Sequence, residues 1–170
     1  PIPLKGEVPG DGALDGPITY SAYYTLAHSS LGRSLLSSNK GLRLLVVLHG
    51  CSRTALNWFE LPEERSILRV ALGNNLFDAV LAVESTDTES HCWNGSPFFD
   101  TDTPSIASAI EALAGRLCGS SSDAARCFAG GVTVLGSSSG GTMASTLLRT
   151  LPGLRGAVVM ISPGNEDALL

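Results

Sequence analysis

The sequence has few charged residues and no long apolar run. Only 16% of its 170 residues are charged, the net charge is −5, and Lys and Arg form no cluster. Proteins that bind nucleic acid neutralise phosphates with such clusters, so we expect no nucleic-acid partner. The longest apolar run, Leu44–Leu48, is far shorter than the ~18 residues that a membrane-spanning helix needs, so we expect no membrane segment.

Metal-binding patterns are also missing. The four cysteines, Cys51, Cys92, Cys118 and Cys127, form no C-x-x-C motif, and His91 is the only histidine next to a cysteine. The sequence therefore predicts no metal site. An even number of cysteines is compatible with two disulfide bonds in a secreted protein, and equally with four buried thiols.

The sequence contains enough apolar residues for one folded domain. Its hydrophobic fraction is 44%, and 170 residues fit a single domain. The chain begins at Pro1 with neither Met nor a signal-like apolar stretch, so we expect its first residues to be missing or processed. Residues 1–16 are rich in Gly, Pro and Asp and are predicted to form an irregular lead-in.

Strand and helix signals alternate along the chain. Short apolar runs predict buried strands at Leu42–Leu48, Phe77–Val83, Gly131–Leu135 and Ala157–Ile161. Helices are predicted over Asn57–Leu72, over a stripe of Ile106, Ile110, Leu113 and Leu117 capped by Asp102 or Thr103, and over Thr142–Leu151. Ile18–Ala27 is predicted as an edge strand or hairpin arm. This alternation predicts an α/β domain with a mostly parallel sheet and helices on both faces.

The stretch Gly136-Ser137-Ser138-Ser139-Gly140 matches the pattern G-x-S-x-G between a predicted strand and a predicted helix. A turn this sharp strains the central residue and needs small residues two positions to either side. It would hold the Ser138 hydroxyl above the carboxyl edge of the sheet, beside the first N–H groups of the helix. We therefore predict Ser138 as a nucleophile. A Gly/Ser-rich loop that binds phosphate is the alternative interpretation.

A second motif, His49-Gly50-Cys51-Ser52, follows the first core strand. A loop at this place can turn a backbone N–H toward the oxygen of a tetrahedral intermediate, with the N–H of Ser139 as the second donor. We expect His49 to orient this loop rather than to transfer protons.

The stretches LVVLHGCS, HCWN and GSSSGGTMA, in this order, give the sequence a resemblance to one branch of the α/β-hydrolases. It resembles the extracellular polyhydroxyalkanoate depolymerases, feruloyl esterases and acetylxylan esterases over residues 42–162. The resemblance implies a carboxylic ester hydrolase that forms a serine acyl-enzyme without a cofactor and acts on polymer-linked or aromatic esters. It also implies Ser138 as the nucleophile, Cys51 and Ser139 as oxyanion donors, and Trp93 near the substrate groove.

The sequence departs from that family in its histidines. The superfamily order is nucleophile, acid, then His, whereas His28, His49 and His91 all precede Ser138. Asp167 is a candidate acid, although the acid more often follows a later strand. We therefore expect an incomplete α/β-hydrolase domain whose C-terminal strands are missing. The alternatives are an inactive relative that serves as a binding module, and a base recruited from His91.

The positions of the cysteines predict how they pair. Cys118 and Cys127 are separated by a short stretch of mostly small or polar residues, which can bring them within bonding distance. Cys51 and Cys92 follow the first and second core strands, and the carboxyl ends of neighbouring parallel strands meet at one edge of a sheet. We therefore predict the bonds Cys51–Cys92 and Cys118–Cys127, with four free thiols as the alternative.

Overall fold

The computed structural model of the chain describes residues 1–8, 18–27, 41–94, 101–119, 123–162 and 164. Within these residues the backbone forms a six-stranded sheet. Its strands are β1 (Ile2–Val8), β2 (Ile18–Leu26), β3 (Arg43–Leu48), β4 (Ala79–Val83), β5 (Gly131–Ser137) and β6 (Leu154–Met160). The helices are α1 (Asn57–Glu60), α2 (Pro62–Gly73), α3 (Asp102–Cys118), α4 (Ala124–Cys127) and α5 (Ser139–Thr150).

The order of strands across the sheet is β1-β2-β4-β3-β5-β6. The pairs among β3, β4, β5 and β6 are parallel, whereas β2 is antiparallel to both β1 and β4. Leu48 at the end of β3 lies opposite Val83 of β4 and Gly136 of β5. The segments that follow these three strands therefore leave the sheet at one edge, where ligands bind in open α/β sheets.

The two faces of the sheet bury separate cores, because side chains alternate along each strand. In β3, Leu44 and Val46 belong to one core, and Leu45 and Val47 belong to the other. The first core is completed by apolar residues of α3 and α5, namely Ile106, Leu113, Met143 and Leu147. The second is completed by residues of α1 and α2, namely Trp58, Leu68 and Ala71. The predicted mostly parallel sheet with helices on both faces is confirmed.

The expected irregular lead-in over residues 1–16 is corrected for Ile2–Val8, which form β1. This strand pairs with β2 so that Leu4 lies opposite Ala22, and both side chains are buried. β1 lies at the edge of the sheet, where Pro3 is tolerated because an edge strand does not need every N–H for pairing. Residues 9–16 lie outside the described residues.

The single helix predicted over Asn57–Leu72 is two helices. Leu61 between them is extended, with φ −72° and ψ 142°, because Pro62 disfavours the helical region for the residue before it. Pro62 itself begins α2, where its missing N–H costs no helical hydrogen bond. None of the described helices is long and apolar enough to cross a bilayer. β2, predicted as an edge strand or hairpin arm, is not an edge strand, because it pairs antiparallel with β1 on one side and β4 on the other.

Cys118 and Cys127 form a disulfide bond, as predicted. Cys118 ends α3 and Cys127 ends α4, a helical turn that the sequence analysis treated as part of a connection. The Asp123 side chain caps α4 by accepting the N–H of Arg126 over 2.7 Å. The carbonyl oxygen of Cys127 accepts the N–H of Leu42, just before β3. The Cys118–Cys127 disulfide therefore lies at the amino edge of the sheet, away from the carboxyl ends of β3, β4 and β5.

The core under α3 can be tested with Leu113→Ala, which is expected to lower the free energy of unfolding by about 2–5 kcal/mol, because Leu113 is fully buried. The matched control is Leu148→Ala on α5, where the side chain is 41% exposed and the expected loss is below about 1 kcal/mol. Urea unfolding followed by circular dichroism measures both losses. Equal losses in the two variants would contradict the packing of α3 on the sheet.

Candidate active site

Ser138 lies at the junction of β5 and α5, with no intervening loop. Its backbone has φ 54° and ψ −121°, a conformation that costs a residue with a side chain roughly 1–3 kcal/mol. Its N–H donates to the carbonyl oxygen of Met160 over 2.8 Å, and its carbonyl oxygen accepts the N–H of Gly141 over 2.8 Å. The residue is exposed. The junction thus presents a hydroxyl group on a strained, hydrogen-bonded backbone at the carboxyl edge of the sheet.

Two glycines allow β5 and α5 to meet this closely. A Cβ on Gly136 would come within 1.9 Å of the carbonyl oxygen of Gly140. A Cβ on Gly140 would come within 2.4 Å of the carbonyl oxygen of His49. Both distances are far inside van der Waals contact, so the positions two before and two after Ser138 accept no side chain. This is the steric requirement behind the G-x-S-x-G pattern.

The segment that follows β3 lies directly beside Ser138. A Cβ added to Gly50 would stand 3.3 Å from Ser138 Cβ and 3.9 Å from Ser138 Oγ. Within the part of the chain that the structure describes, the N–H groups of Cys51 and Ser139 donate to no oxygen. Ser139 is the first residue of α5, where helical N–H groups lack partners in their own helix. Two unused N–H donors therefore belong to the segments that meet at Ser138.

His49 is buried, and both of its ring nitrogens are engaged. Nδ1 lies 2.8 Å from the carbonyl oxygen of Gly50, and Nε2 accepts the N–H of Ser85 over 3.2 Å. A carbonyl oxygen only accepts and a backbone N–H only donates, so these two contacts fit a hydrogen on Nδ1 and a lone pair on Nε2. Glu84 Oε2 lies 3.3 Å from Nε2. This arrangement fits the predicted role of His49 in orienting the loop.

Trp93 supports His49 from the core. Its indole N–H donates to the carbonyl oxygen of His49 over 2.7 Å, and the two ring centroids are 5.1 Å apart. The resemblance placed Trp93 near a substrate groove, yet the residue is only 6% exposed. Contact with a substrate is therefore restricted to a small part of the ring in this structure.

The segment after β4 is bound to the segment after β3. Cys51 and Cys92 form a disulfide bond, as predicted, and the N–H of Ser52 donates to the carbonyl oxygen of Ser90. The Ser90 hydroxyl donates to Asp87 Oδ2, and two neighbouring backbone N–H groups donate to Oδ1. These hydrogen bonds hold the pKa of Asp87 below its ordinary value, and the one from the Ser90 hydroxyl has the largest effect. The segment is thus ordered by its own hydrogen bonds as well as by the disulfide.

Asp102 fixes the far end of the same segment. Its buried carboxylate accepts the N–H and the hydroxyl of Thr86 at Oδ1, each over 2.9 Å, and the N–H of Asn94 at Oδ2 over 2.9 Å. The prediction that Asp102 or Thr103 caps α3 is wrong. Asp102 is the first residue of the helix, Thr101 precedes it without a side-chain cap, and the Asp102 carboxylate is occupied by the neighbouring segment.

The architecture is similar to solved hydrolase structures. A ferulic acid esterase superposes with a TM-score of 0.61 at 15% identity, over 94% of this chain and 59% of that chain. An acetyl xylan esterase from Aspergillus awamori gives 0.55 at 19% identity, over 92% and 51%. The peroxisomal alpha-beta-hydrolase Lpx1 from Saccharomyces cerevisiae gives 0.56 at 17% identity, over 94% and 43%. No family model and no curated protein matches the sequence.

The chain has an α/β-hydrolase-like fold. It spans 59% of the length of the ferulic acid esterase that it matches. The resemblance inferred from the order of the motifs is confirmed at the level of the fold. In an α/β-hydrolase fold the carboxyl edge of the sheet carries the ligand site, and the described ends of β3, β4 and β5 meet there.

Two of the residues named from the sequence, Asp167 and His28, lie outside the described residues. Among those described, no histidine is hydrogen-bonded to Ser138, and both ring nitrogens of His49 are engaged elsewhere. The described residues contain no group of three His, Cys, Asp or Glu side chains close enough together to hold a metal ion.

A cavity of about 300 Å³ lies between α3, α4 and the beginnings of β5 and β6. Its lining includes Ile110, Phe128, Gly131 and Leu154. Because it opens at the amino ends of these strands, it is separated from Ser138 by the length of β5 and does not belong to the candidate site.

The junction can be tested with Gly136→Ala, which is expected to lower the free energy of unfolding by about 3 kcal/mol or more, because the new Cβ would overlap the Gly140 carbonyl group. The matched control is Gly115→Ala in α3, where a Cβ meets nothing within 4 Å and about 0.5–1 kcal/mol of stabilisation is expected. Thermal and urea unfolding measure both changes. Equal stability of the two variants would contradict the close packing of α5 on β5.

Proposed function

We propose that this chain carries the nucleophile and the oxyanion hole of a serine ester hydrolase, with Ser138 as the nucleophile. The observation that carries the proposal is the exposed Ser138 at positive φ between a buried strand and a helix, beside Gly50. The fold shared with a ferulic acid esterase and an acetyl xylan esterase supports carboxylic esters as the substrate class.

In the proposed reaction Ser138 Oγ attacks the ester carbonyl carbon and gives up its proton to a base. The negative charge that develops on the carbonyl oxygen is stabilised by the N–H groups of Cys51 and Ser139, each worth about 10²–10³ in rate by analogy with other oxyanion holes. Collapse of the intermediate expels the alcohol, which takes the proton from the base. Water then attacks the acyl-enzyme by the same route, releases the acid and restores the serine.

The base is proposed to be a histidine other than His49, because both ring nitrogens of His49 are engaged. A serine without a base is a weak nucleophile near neutral pH. Asp167 remains the proposed acid, and it lies outside the described residues. A hydrolase-fold binding module without activity is the second candidate. It is favoured by the lack of a hydrogen bond between Ser138 and any described histidine.

Polymer-linked or aromatic esters are the proposed substrates, following the sequence resemblance. Secretion is also proposed, because disulfide bonds such as Cys51–Cys92 and Cys118–Cys127 form and persist in oxidising compartments.

The nucleophile can be identified with a fluorophosphonate probe, which is expected to label the full gene product at Ser138. Ser138→Ala should abolish labelling, whereas Ser137→Ala should retain it, because only Ser138 lies at the strained junction. Peptide mass spectrometry locates the adduct. Residues 1–170 alone are expected to react slowly, because no described histidine is hydrogen-bonded to the Ser138 hydroxyl. Labelling at another residue would contradict the assignment, and fast labelling of the short chain would point to His91 as the base.

The disulfide beside the site should matter more for reactivity than the remote one. Replacing Cys51 and Cys92 together by Ser is expected to slow labelling by about 10-fold or more, because small displacements of catalytic groups carry costs of that order. Replacing Cys118 and Cys127 by Ser is the matched control. It should cost roughly 2–3 kcal/mol of stability and leave the labelling rate unchanged below the melting temperature. Equal slowing in both double variants would contradict the role given to the loop.

A further inference from the structure

Glu84, the first residue after β4, touches both ends of the loop that follows β3. Its Oε1 accepts the N–H of Ala55 over 2.9 Å, and its Oε2 lies 3.3 Å from Nε2 of His49. Its own backbone N–H donates to the carbonyl oxygen of Ser21 on β2 over 2.8 Å. One side chain, anchored to the sheet, therefore hydrogen-bonds Ala55 at one end of the loop and contacts His49 at the other, with Cys51 between them.

The contacts of the Glu84 carboxyl group are specific. Its Oε2 atom is buried, has no hydrogen-bond partner among the described residues and lies 3.3 Å from His49 Nε2, although the side chain as a whole is 19% exposed. The Ala55 N–H needs an acceptor at Oε1, while His49 Nε2 presents a lone pair, because it already accepts the N–H of Ser85. A side chain that accepts at one end and donates at the other fits this position, and Gln meets both requirements.

The position of this loop sets how close the proposed oxyanion donor lies to Ser138. A Cβ added at Gly50 would lie 3.3 Å from Ser138 Cβ, and the N–H of the next residue, Cys51, is the proposed oxyanion donor. The disulfide from Cys51 to Cys92 ties the middle of the loop to the segment after β4, and Glu84 ties its two ends to the start of that segment. A shift of the loop would move the donor away from the place where the oxyanion forms.

We propose that Glu84 is the positioning residue of the oxyanion hole. By binding the Ala55 N–H and packing against the His49 ring, it sets the distance between the N–H of Cys51 and the reacting group on Ser138, without touching the substrate itself. This inference rests on the proposed function, since the loop has a catalytic meaning only if Ser138 is the nucleophile. It predicts a loss of reaction rate in the bound complex rather than a loss of binding.

The test compares the labelling kinetics of three variants in the full gene product. Glu84→Ala removes both contacts, and Glu84→Asp keeps a carboxylate that is too short to reach both ends. Glu84→Gln keeps an acceptor for Ala55 and adds an N–H donor for His49 Nε2, which a carboxylate lacks. The control is Glu111→Ala, because the Glu111 carboxylate also accepts a backbone N–H, that of Ala124 over 3.0 Å, at the opposite edge of the sheet. Saturation kinetics with a fluorophosphonate separate the rate constant of inactivation from the binding constant.

We expect Glu84→Ala and Glu84→Asp to lower the inactivation rate constant by about 10- to 100-fold with little change in binding, since a 1 Å misplacement can cost as much as 10²-fold. Glu84→Gln should retain most of the rate, and Glu111→Ala should retain all of it. A wild-type rate in Glu84→Asp, or equal losses in the Gln and Asp variants, would overturn the proposal. If Glu84→Ala does not fold, the comparison of Asp with Gln still decides the outcome.

Amide hydrogen exchange at Ala55 supplies a readout that does not need reactivity. Exchange there should be faster in Glu84→Asp than in the wild type and close to the wild-type rate in Glu84→Gln, because Gln restores the acceptor. If the wild type itself is not labelled at Ser138, the proposed function fails. Faster exchange in the Asp variant then still supports Glu84 as the residue that holds the loop, and unchanged exchange overturns that role as well.

Discussion

The parallel pairing of β3 with β4 on one side and with β5 on the other is the constraint on which the candidate site depends. Because Leu48 lies opposite both Val83 and Gly136, the segments that follow all three strands leave the sheet at the same edge, side by side. The nucleophile candidate follows β5, the oxyanion candidate follows β3, and the supporting side chains follow β4. Changing the strand order or shifting the register would separate groups that no local sequence signal brings together.

The site is held from the core rather than by surface contacts. His49 accepts the Trp93 indole N–H at its carbonyl oxygen and the Ser85 N–H at its ring, and it directly follows β3, whose residues Leu44–Leu48 are buried. The same carbonyl oxygen is where a Cβ on Gly140 would collide. The turn that strains Ser138 and the loop that supplies Cys51 are thus packed on one another. Such rigidity suits a site that must stabilise charge without reorganising.

Much of this arrangement follows from local patterns in the sequence. The Ser138 turn is marked by glycines at fixed spacing, and β3 by an uninterrupted apolar run, so both could be predicted. β1 could not, since Pro3 and Gly6 are unfavourable in strands, and its position depends on pairing with β2 and on Leu4 packing in the core. The break at Leu61 has a local cause in Pro62, which lies within the single helix predicted over Asn57–Leu72.

The hydrogen bonds that support the site could not be predicted, because their partners are far apart in the sequence. Ser85 and His49 are 36 residues apart, and their hydrogen bond exists because β4 lies beside β3. Asp102 looked like a helix cap because its chain position suits one, yet its carboxylate accepts hydrogen bonds from Thr86 and Asn94 instead. Polar residues immediately after a buried strand, such as Glu84 and Ser85, were the available signal, and it does not specify a partner.

The central claim is that Ser138 and the two N–H groups form one reacting centre. A crystal structure of the full gene product inactivated by a phosphonate ester tests it most directly, since the phosphoryl oxygen imitates the oxyanion. We expect phosphorus bonded to Ser138 Oγ, with one phosphoryl oxygen about 2.7–3.1 Å from the backbone nitrogens of both Cys51 and Ser139. An adduct on another residue, or a phosphoryl oxygen directed into solvent away from both nitrogens, would contradict the claim.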